Sequence, residues 1–228
     1  MKAKEAKDEE IQRPNIFLYY ANIMDYFRVV AAMGAFAVAK TNPIAFEFLY
    51  FLSFILDAFD GMVARAAGQK SKLGATLDMV VDRISTAGLL CILSQFYSKY
   101  SVIFVFLMML DVGSHWLQTH SSFLVNVHND NHKNLEEKFW LLNFYYKNRY
   151  GLGIVCLGAE IFLLLLYIGH FYSWLYNNPI FIAILMVNGA IYALKQFISI
   201  IQILGASGRI AQFDENEAVE EIKKKKTH

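Results

Sequence analysis

DAFDGMVARAAGQKSKLGATLDMVVD, residues 57–82, lies between two strongly apolar runs and carries four carboxylates, Asp57, Asp60, Asp78 and Asp82. An ionised carboxylate at the edge of an apolar span is costly and needs a partner or a task. Asp57 and Asp60 are three residues apart and Asp78 and Asp82 four apart, so on helices each pair shares a face. Two such helices side by side gather four anions around one point. That charge requires neutralising, and hard oxygen ligands select a hard divalent cation, Mg2+ or Mn2+.

The residues between the pairs suit the same chemistry. Gly61 and Ala64 lie on or near the Asp57/Asp60 face and leave the helix backbone open to a ligand. Arg65 supplies a planar cationic fork suited to phosphate, and Gly74, one turn before Asp78, again leaves room. Metal-binding carboxylates, small residues and an arginine together describe a pyrophosphate site. A pair of polar helices held only by salt bridges would leave more carboxylates here than the local cations match.

Outward from this stretch the chain is apolar. Of 228 residues, 56% are hydrophobic and 15% aromatic, in long blocks that reach the ~20 residues of a membrane span. The expected fold is all-α and polytopic. Six spans are expected at about 23–39, 44 into the motif, 74–96, 102–125, 152–171 and 180–204, with a short interfacial helix over Ile16–Tyr20. Residues 1–13 read as a polar tail, 14–208 as the membrane domain and 209–228 as a charged tail. The polar stretch 126–148 is the longest loop, with an interfacial helix expected around 139–146. His128 and His132 within it have a spacing that could hold zinc but read as solvated surface. Cys91 and Cys156 fall in apolar blocks and read as small buried hydrophobes. Residues 1–13 lack the apolar core of a cleaved signal peptide.

Six spans put both termini on one side of the bilayer. Lys and Arg residues of the tails, the 66–73 link and the 126–148 loop share that side, against Lys40 and Lys99 opposite. The positive-inside rule then directs the termini and the aspartates to the cytosol. Lys225-Lys226-Thr227-His228 resembles a dilysine retrieval signal of the endoplasmic reticulum, or is a basic patch for anionic lipid. No nucleic-acid partner is expected. Carboxylates in helices also line ion paths, so a divalent-cation transporter is the rival of a different class. It predicts acidic residues spread through membrane depth and leaves Gly61, Ala64 and Arg65 without a role.

The motif reads D-x2-D-G-x2-A-R-x8-G-x3-D-x3-D, with all eight fixed positions filled by Asp57, Asp60, Gly61, Ala64, Arg65, Gly74, Asp78 and Asp82. It resembles the signature of the CDP-alcohol phosphotransferases, membrane enzymes of phospholipid synthesis. From about Asn15 to Arg209 the wording is similar to the eukaryotic branch that makes phosphatidylinositol: NIFLYYANIMDYFR, LDVGSHWLQTHSS at 110–122, YYKNR at 145–149 and ALKQFIS at 193–199. The longer charged N-terminal stretch and the Asn- and His-rich segment at 126–134 depart from it.

The resemblance implies transfer of the phosphatidyl group of CDP-diacylglycerol to myo-inositol with release of CMP, by direct displacement with two divalent ions. It assigns Asp57, Asp60, Asp78 and Asp82 to the metals, Asp82 also to proton removal, and Gly61, Arg65 and Ser71 to the nucleotide and its phosphates. It also implies a homodimer in the bilayer. Asn22 and Arg28, near the start of the first span, are either interfacial, with Arg28 paired to Asp25, or neighbours of the nucleotide site; the resemblance favours the second. Asp111 and His115, one turn apart in an apolar helix, are candidates for the inositol side or a helix-packing pair. Lys195 pairs with Asp111 or with phosphate. Another alcohol acceptor remains the alternative within the family.

Overall fold

The computed structural model describes residues 14–128 and 149–226. Among the described residues there are six long helices: α1 Tyr20–Val38, α2 Pro43–Ala66, α3 Lys72–Phe96, α4 Ser101–His128, α5 Arg149–Phe171 and α6 Pro179–Lys226. Three 3-10 turns, Ile16–Leu18, Ser98–Tyr100 and Ser173–Asn177, punctuate them, and no strand occurs among the described residues. The interfacial helix expected around 139–146, His132 and the polar tail 1–13 lie outside those residues.

Local signals place the helix starts. Asn42 accepts a hydrogen bond from Ala45 N at 3.1 Å, with Pro43 in the first turn of α2. Ser71 accepts from Gly74 N at 2.9 Å to cap α3. Gly68, at φ 65°, turns the chain between α2 and α3 in a left-handed conformation that costs glycine little.

Four helical segments, 20–38, 98–124, 151–171 and 179–226, are long and apolar enough to cross a bilayer. With 24 and 25 residues, α2 and α3 are also long enough, but they carry the charges of the aspartate motif. Large apolar side chains such as Met33, Phe48, Phe106 and Met186 project outward all round the bundle, as a lipid-facing surface requires. The protein is an all-α, multi-pass membrane protein.

The packing order differs from two acidic helices laid side by side. α1 packs extensively on α2 and also on α3, whereas α2 and α3 make little direct contact. Buried alanines at 21, 31, 32 and 35 make α1 slim enough for this intermediate place. The remaining helices complete the bundle: α4 packs on α3 and α6, and α5 packs on α6 and α3. The apolar core gathers at the end away from the aspartates. There Phe46 stacks on Tyr167 at 4.0 Å between ring centroids, and Tyr167 donates to Ala39 O at 2.7 Å.

The last helix is longer than its apolar stretch. A sixth span at 180–204 followed by a short tail is what hydropathy suggests, but α6 runs unbroken for 48 residues through Lys226. At ~1.5 Å per residue this is roughly 70 Å, more than twice the ~30 Å hydrocarbon core.

Candidate active site

Five carboxylates converge on one guanidinium. Arg28, only 2% exposed, lies on α1 between the two halves of the motif. Its Nη1 is 2.9 Å from Asp25, 3.1 Å from Asp60 and 3.0 Å from Asp78, and its Nη2 pairs with Asp57 and Asp82. Ser53 Oγ on α2 donates to Arg28 O at 3.2 Å and ties the two helices at this level. The four aspartates of the motif therefore do share one point, through a residue of the intervening helix. Arg28 pairs with Asp25 and stands among the motif aspartates, and it lines the second of the two cavities that open on them, not the first.

Arg28, with Arg83 Nη2 3.6 Å from Asp82, does not match five anions. Carboxylate oxygens of Asp25, Asp60 and Asp78 lie within 4.8 Å of one another, and so do those of Asp57, Asp78 and Asp82. These two triads share Asp78. Two adjacent sets of hard oxygen ligands fit a pair of divalent cations. Asp25 is an addition to the set read from the motif. It is 1% exposed on α1, and nothing in its local sequence distinguishes it from an interfacial anchor.

Two cavities open on the cluster. Asn22, Asp60, Gly61, Ala64, Arg65, Ser71, Gly74 and Asp78 all line the first, along with Asp25, Gln69 and Lys70. Every nucleotide-side residue expected from the motif thus faces one space, at the capped N-terminus of α3, where free backbone N–H groups favour an anion. The glycines have specific neighbours. A Cβ at Gly61 would stand 3.2 Å from Arg65 Nη1, so the glycine lets that guanidinium lie against the helix. A Cβ at Gly74 would stand 2.7 Å from Asn22 Oδ1, so the room at Gly74 is filled by Asn22. Asn22 in turn donates to Ile16 O at 2.7 Å and pins the N-terminal 3-10 turn beside the cavity.

The second cavity is lined by Arg28, Asp57 and Asp82 and by Arg83, Glu160 and Lys195, with Tyr50 and Thr86 among its other residues, and Arg83 Nη2 lies 3.6 Å from Asp82 Oδ2. Asp111 does not reach this space. It lies behind it, buried, accepting Arg83 Nη1 on both oxygens at 2.9 Å and paired to Lys195 Nζ at 3.1 Å. Of the two partners weighed for Lys195, Asp111 is the one in contact. His115 sits one turn further along α4, its Nδ1 2.8 Å from Asp111 O, and it does not line the cavity either. The inward-facing groups missed from the sequence are Arg83, Glu160, Tyr50 and Thr86. Intramembrane charge marks Arg83 and Glu160, but only the packing shows which way they point.

The profile of the CDP-alcohol phosphatidyltransferase family matches residues 18–204. The chain belongs to the CDP-alcohol phosphatidyltransferase family. Similar proteins include the probable CDP-diacylglycerol–inositol 3-phosphatidyltransferase 2 of Arabidopsis thaliana, 45% identical over 68% of this chain and 69% of that one. The CDP-diacylglycerol–inositol 3-phosphatidyltransferase of Homo sapiens is 38% identical over 92% of this chain and 98% of its own. That of Saccharomyces cerevisiae is 35% identical over 94% and 96%. No solved structure matches the chain. In this CDP-alcohol phosphatidyltransferase the matched region spans all five carboxylates and both cavities, and ends where α6 leaves its apolar stretch.

Proposed function

We infer that this chain transfers the phosphatidyl group of CDP-diacylglycerol to myo-inositol, releasing CMP. The observation that carries the reading is the pair of cavities meeting at one carboxylate cluster: Asp60 and Asp78 face the first, Asp57 and Asp82 the second. A group passed between two substrates needs such a meeting point, and a cation path does not. The acidic residues of the motif gather at one level instead of spreading through the bundle, which disfavours a transporter.

The nucleotide and diphosphate go to the first cavity. Gly61 and Ala64 keep its wall low, Arg65 and the α3 N-terminus at Ser71 face the phosphates, and Asn22 and Gly74 hold the wall's shape. Asp57, Asp60, Asp78 and Asp82, with Asp25, would hold two divalent ions, Mg2+ or Mn2+. When bound, such ions neutralise charge on the diphosphate and on the departing CMP. The polyol goes to the second cavity. An inositol hydroxyl is a weak nucleophile near neutral pH and must lose its proton as it attacks. Asp82 is proposed as the base: it faces the acceptor space and belongs to the cluster that holds the diphosphate. No step requires a covalent intermediate on the protein. Asp111 and His115 are proposed to act from behind, with Asp111 fixing Arg83 and Lys195.

The deciding experiment is CMP formation by the purified protein with CDP-diacylglycerol and, in turn, myo-inositol, serine and glycerol 3-phosphate. Release that depends on myo-inositol supports the reading. Release with another acceptor in its place would reassign the chain within its family. We further propose residence in the endoplasmic reticulum with the aspartates facing the cytosol, which protease and thiol-labelling access in sealed microsomes would test. A homodimer is also proposed, and cross-linking in the membrane would test it.

A further inference from the structure

The acceptor cavity carries a second set of charges, joined to the aspartate cluster through Arg83, whose Nη2 lies 3.6 Å from Asp82 Oδ2. Arg83 and Lys195 line its far wall, and both are held from behind by one carboxylate, Asp111, at 2.9 Å and 3.1 Å. Asp111 is shared by the two cations, and Asp82, which also reaches Arg83, is itself shared with Arg28. The balancing charge is Glu160, on α5. Among the described residues lining this cavity it is the one acidic group outside the motif. Its side chain is fixed at both oxygens: Oε2 accepts from Tyr50 OH at 3.0 Å and Oε1 from Thr86 Oγ1 at 2.6 Å.

With Glu160 in place, this wall holds two cations and two carboxylates. It still has hydrogen-bonding capacity to spare. Each Glu160 oxygen has a further lone pair and the lysine has further N–H groups. A surface rich in donors and acceptors but without uncompensated charge suits a ligand of many hydroxyls and no charge. A phosphorylated polyol would add about 1.5 to 2 negative charges. They would enter a space already flanked by Asp57 and Asp82, with no spare cation to receive them.

We propose that Glu160 is a specificity-determining residue for the acceptor: by neutralising the Arg83–Lys195 wall it admits an uncharged polyol and turns away the phosphorylated one. This rests on the reading of the chain as an inositol-accepting transferase.

The test separates the two claims. Inositol-dependent CMP release by the unaltered protein tests the transferase reading; competition by myo-inositol monophosphate in Glu160 variants tests this one. Glu160→Gln keeps the shape and removes the charge. Loss of hydrogen bonds to a charged acceptor should raise KM for myo-inositol about ten-fold or more. Inhibition by the monophosphate should strengthen by a similar factor, with thermal stabilisation by CDP-diacylglycerol kept. Glu160→Asp keeps the charge and shortens the reach, so its KM for myo-inositol should rise while the monophosphate stays a poor inhibitor. If Glu160→Gln still binds CDP-diacylglycerol but discriminates between the two polyols as the parent does, the proposal is overturned. Should that variant fail to bind CDP-diacylglycerol, Glu160→Asp decides: a raised KM for myo-inositol with the monophosphate still a poor inhibitor would support the proposal, and an unchanged KM or enhanced inhibition by the monophosphate would overturn it.

Discussion

Replacing Arg28 by methionine should destabilise the metal-free protein far more than the metal-loaded one. The guanidinium is the one cation, among the described residues, that pairs with all of Asp25, Asp57, Asp60, Asp78 and Asp82. Their exposure decides the magnitude. The side chains of Asp25 and Asp60 are 2% and 9% exposed, so their loss of a partner is barely screened. Asp57, Asp78 and Asp82 are partly open to solvent and count for much less. Breaking a buried pair by removing one member costs about 3–5 kcal/mol, which in a domain of this size is roughly ten degrees of melting temperature. Divalent cations supply the same countercharge, so millimolar Mg2+ or Mn2+ should restore most of the difference. The assay is thermal unfolding in detergent, parent against Arg28→Met, with chelator and with metal. An Arg28→Met protein that melts with the parent in chelator would refute the reasoning, because the cluster would then be neutralised by other means.

Asp82→Asn should abolish CMP release while CDP-diacylglycerol still stabilises the protein; normal turnover would remove Asp82 from the role of base. Asp57→Asn should instead weaken metal and nucleotide binding together, read by metal titration and CDP protection against unfolding. Gly74→Ala would place a methyl 2.7 Å from Asn22 Oδ1. Its expected effect is a loss of about 1–3 kcal/mol and weaker nucleotide binding, with KM for myo-inositol little changed. Asp111→Asn leaves Arg83 and Lys195 with one countercharge fewer in a buried setting, so reduced stability and a raised KM for myo-inositol are expected, with nucleotide affinity kept. Chelation should stop CMP release and added Mg2+ or Mn2+ should restore it.

Much of this site was legible because it is written at short range. The i, i+3 and i, i+4 spacings of the aspartates, the small residues between them and the capping Ser71 are local patterns. A helix turns such spacing into a shared face whatever packs against it. The residues expected on the nucleotide side line one cavity. Arg28 and Asp25 were ambiguous for the opposite reason. A charged pair near the start of an apolar span looks the same whether it anchors at the interface or enters a site, and only the neighbouring helices distinguish the two. Glu160 lies about a hundred residues from Asp57 in sequence, and no period connects them.

By itself the sequence determined the all-helical membrane architecture, the aspartate motif and the family, since apolar run length and helical spacing depend on nothing outside their own segment. The tertiary structure decided that α1 lies between α2 and α3, so that Arg28 stands among five carboxylates. It also decided that Asp111 holds Arg83 and Lys195 from behind the second cavity while Glu160 lines it. Those outcomes depend on which helix is slim enough to sit between which others, and on the direction a lone polar side chain takes once lipid is excluded on one side. Such choices arise from contacts between distant segments, and the spacing along any one of them does not encode them.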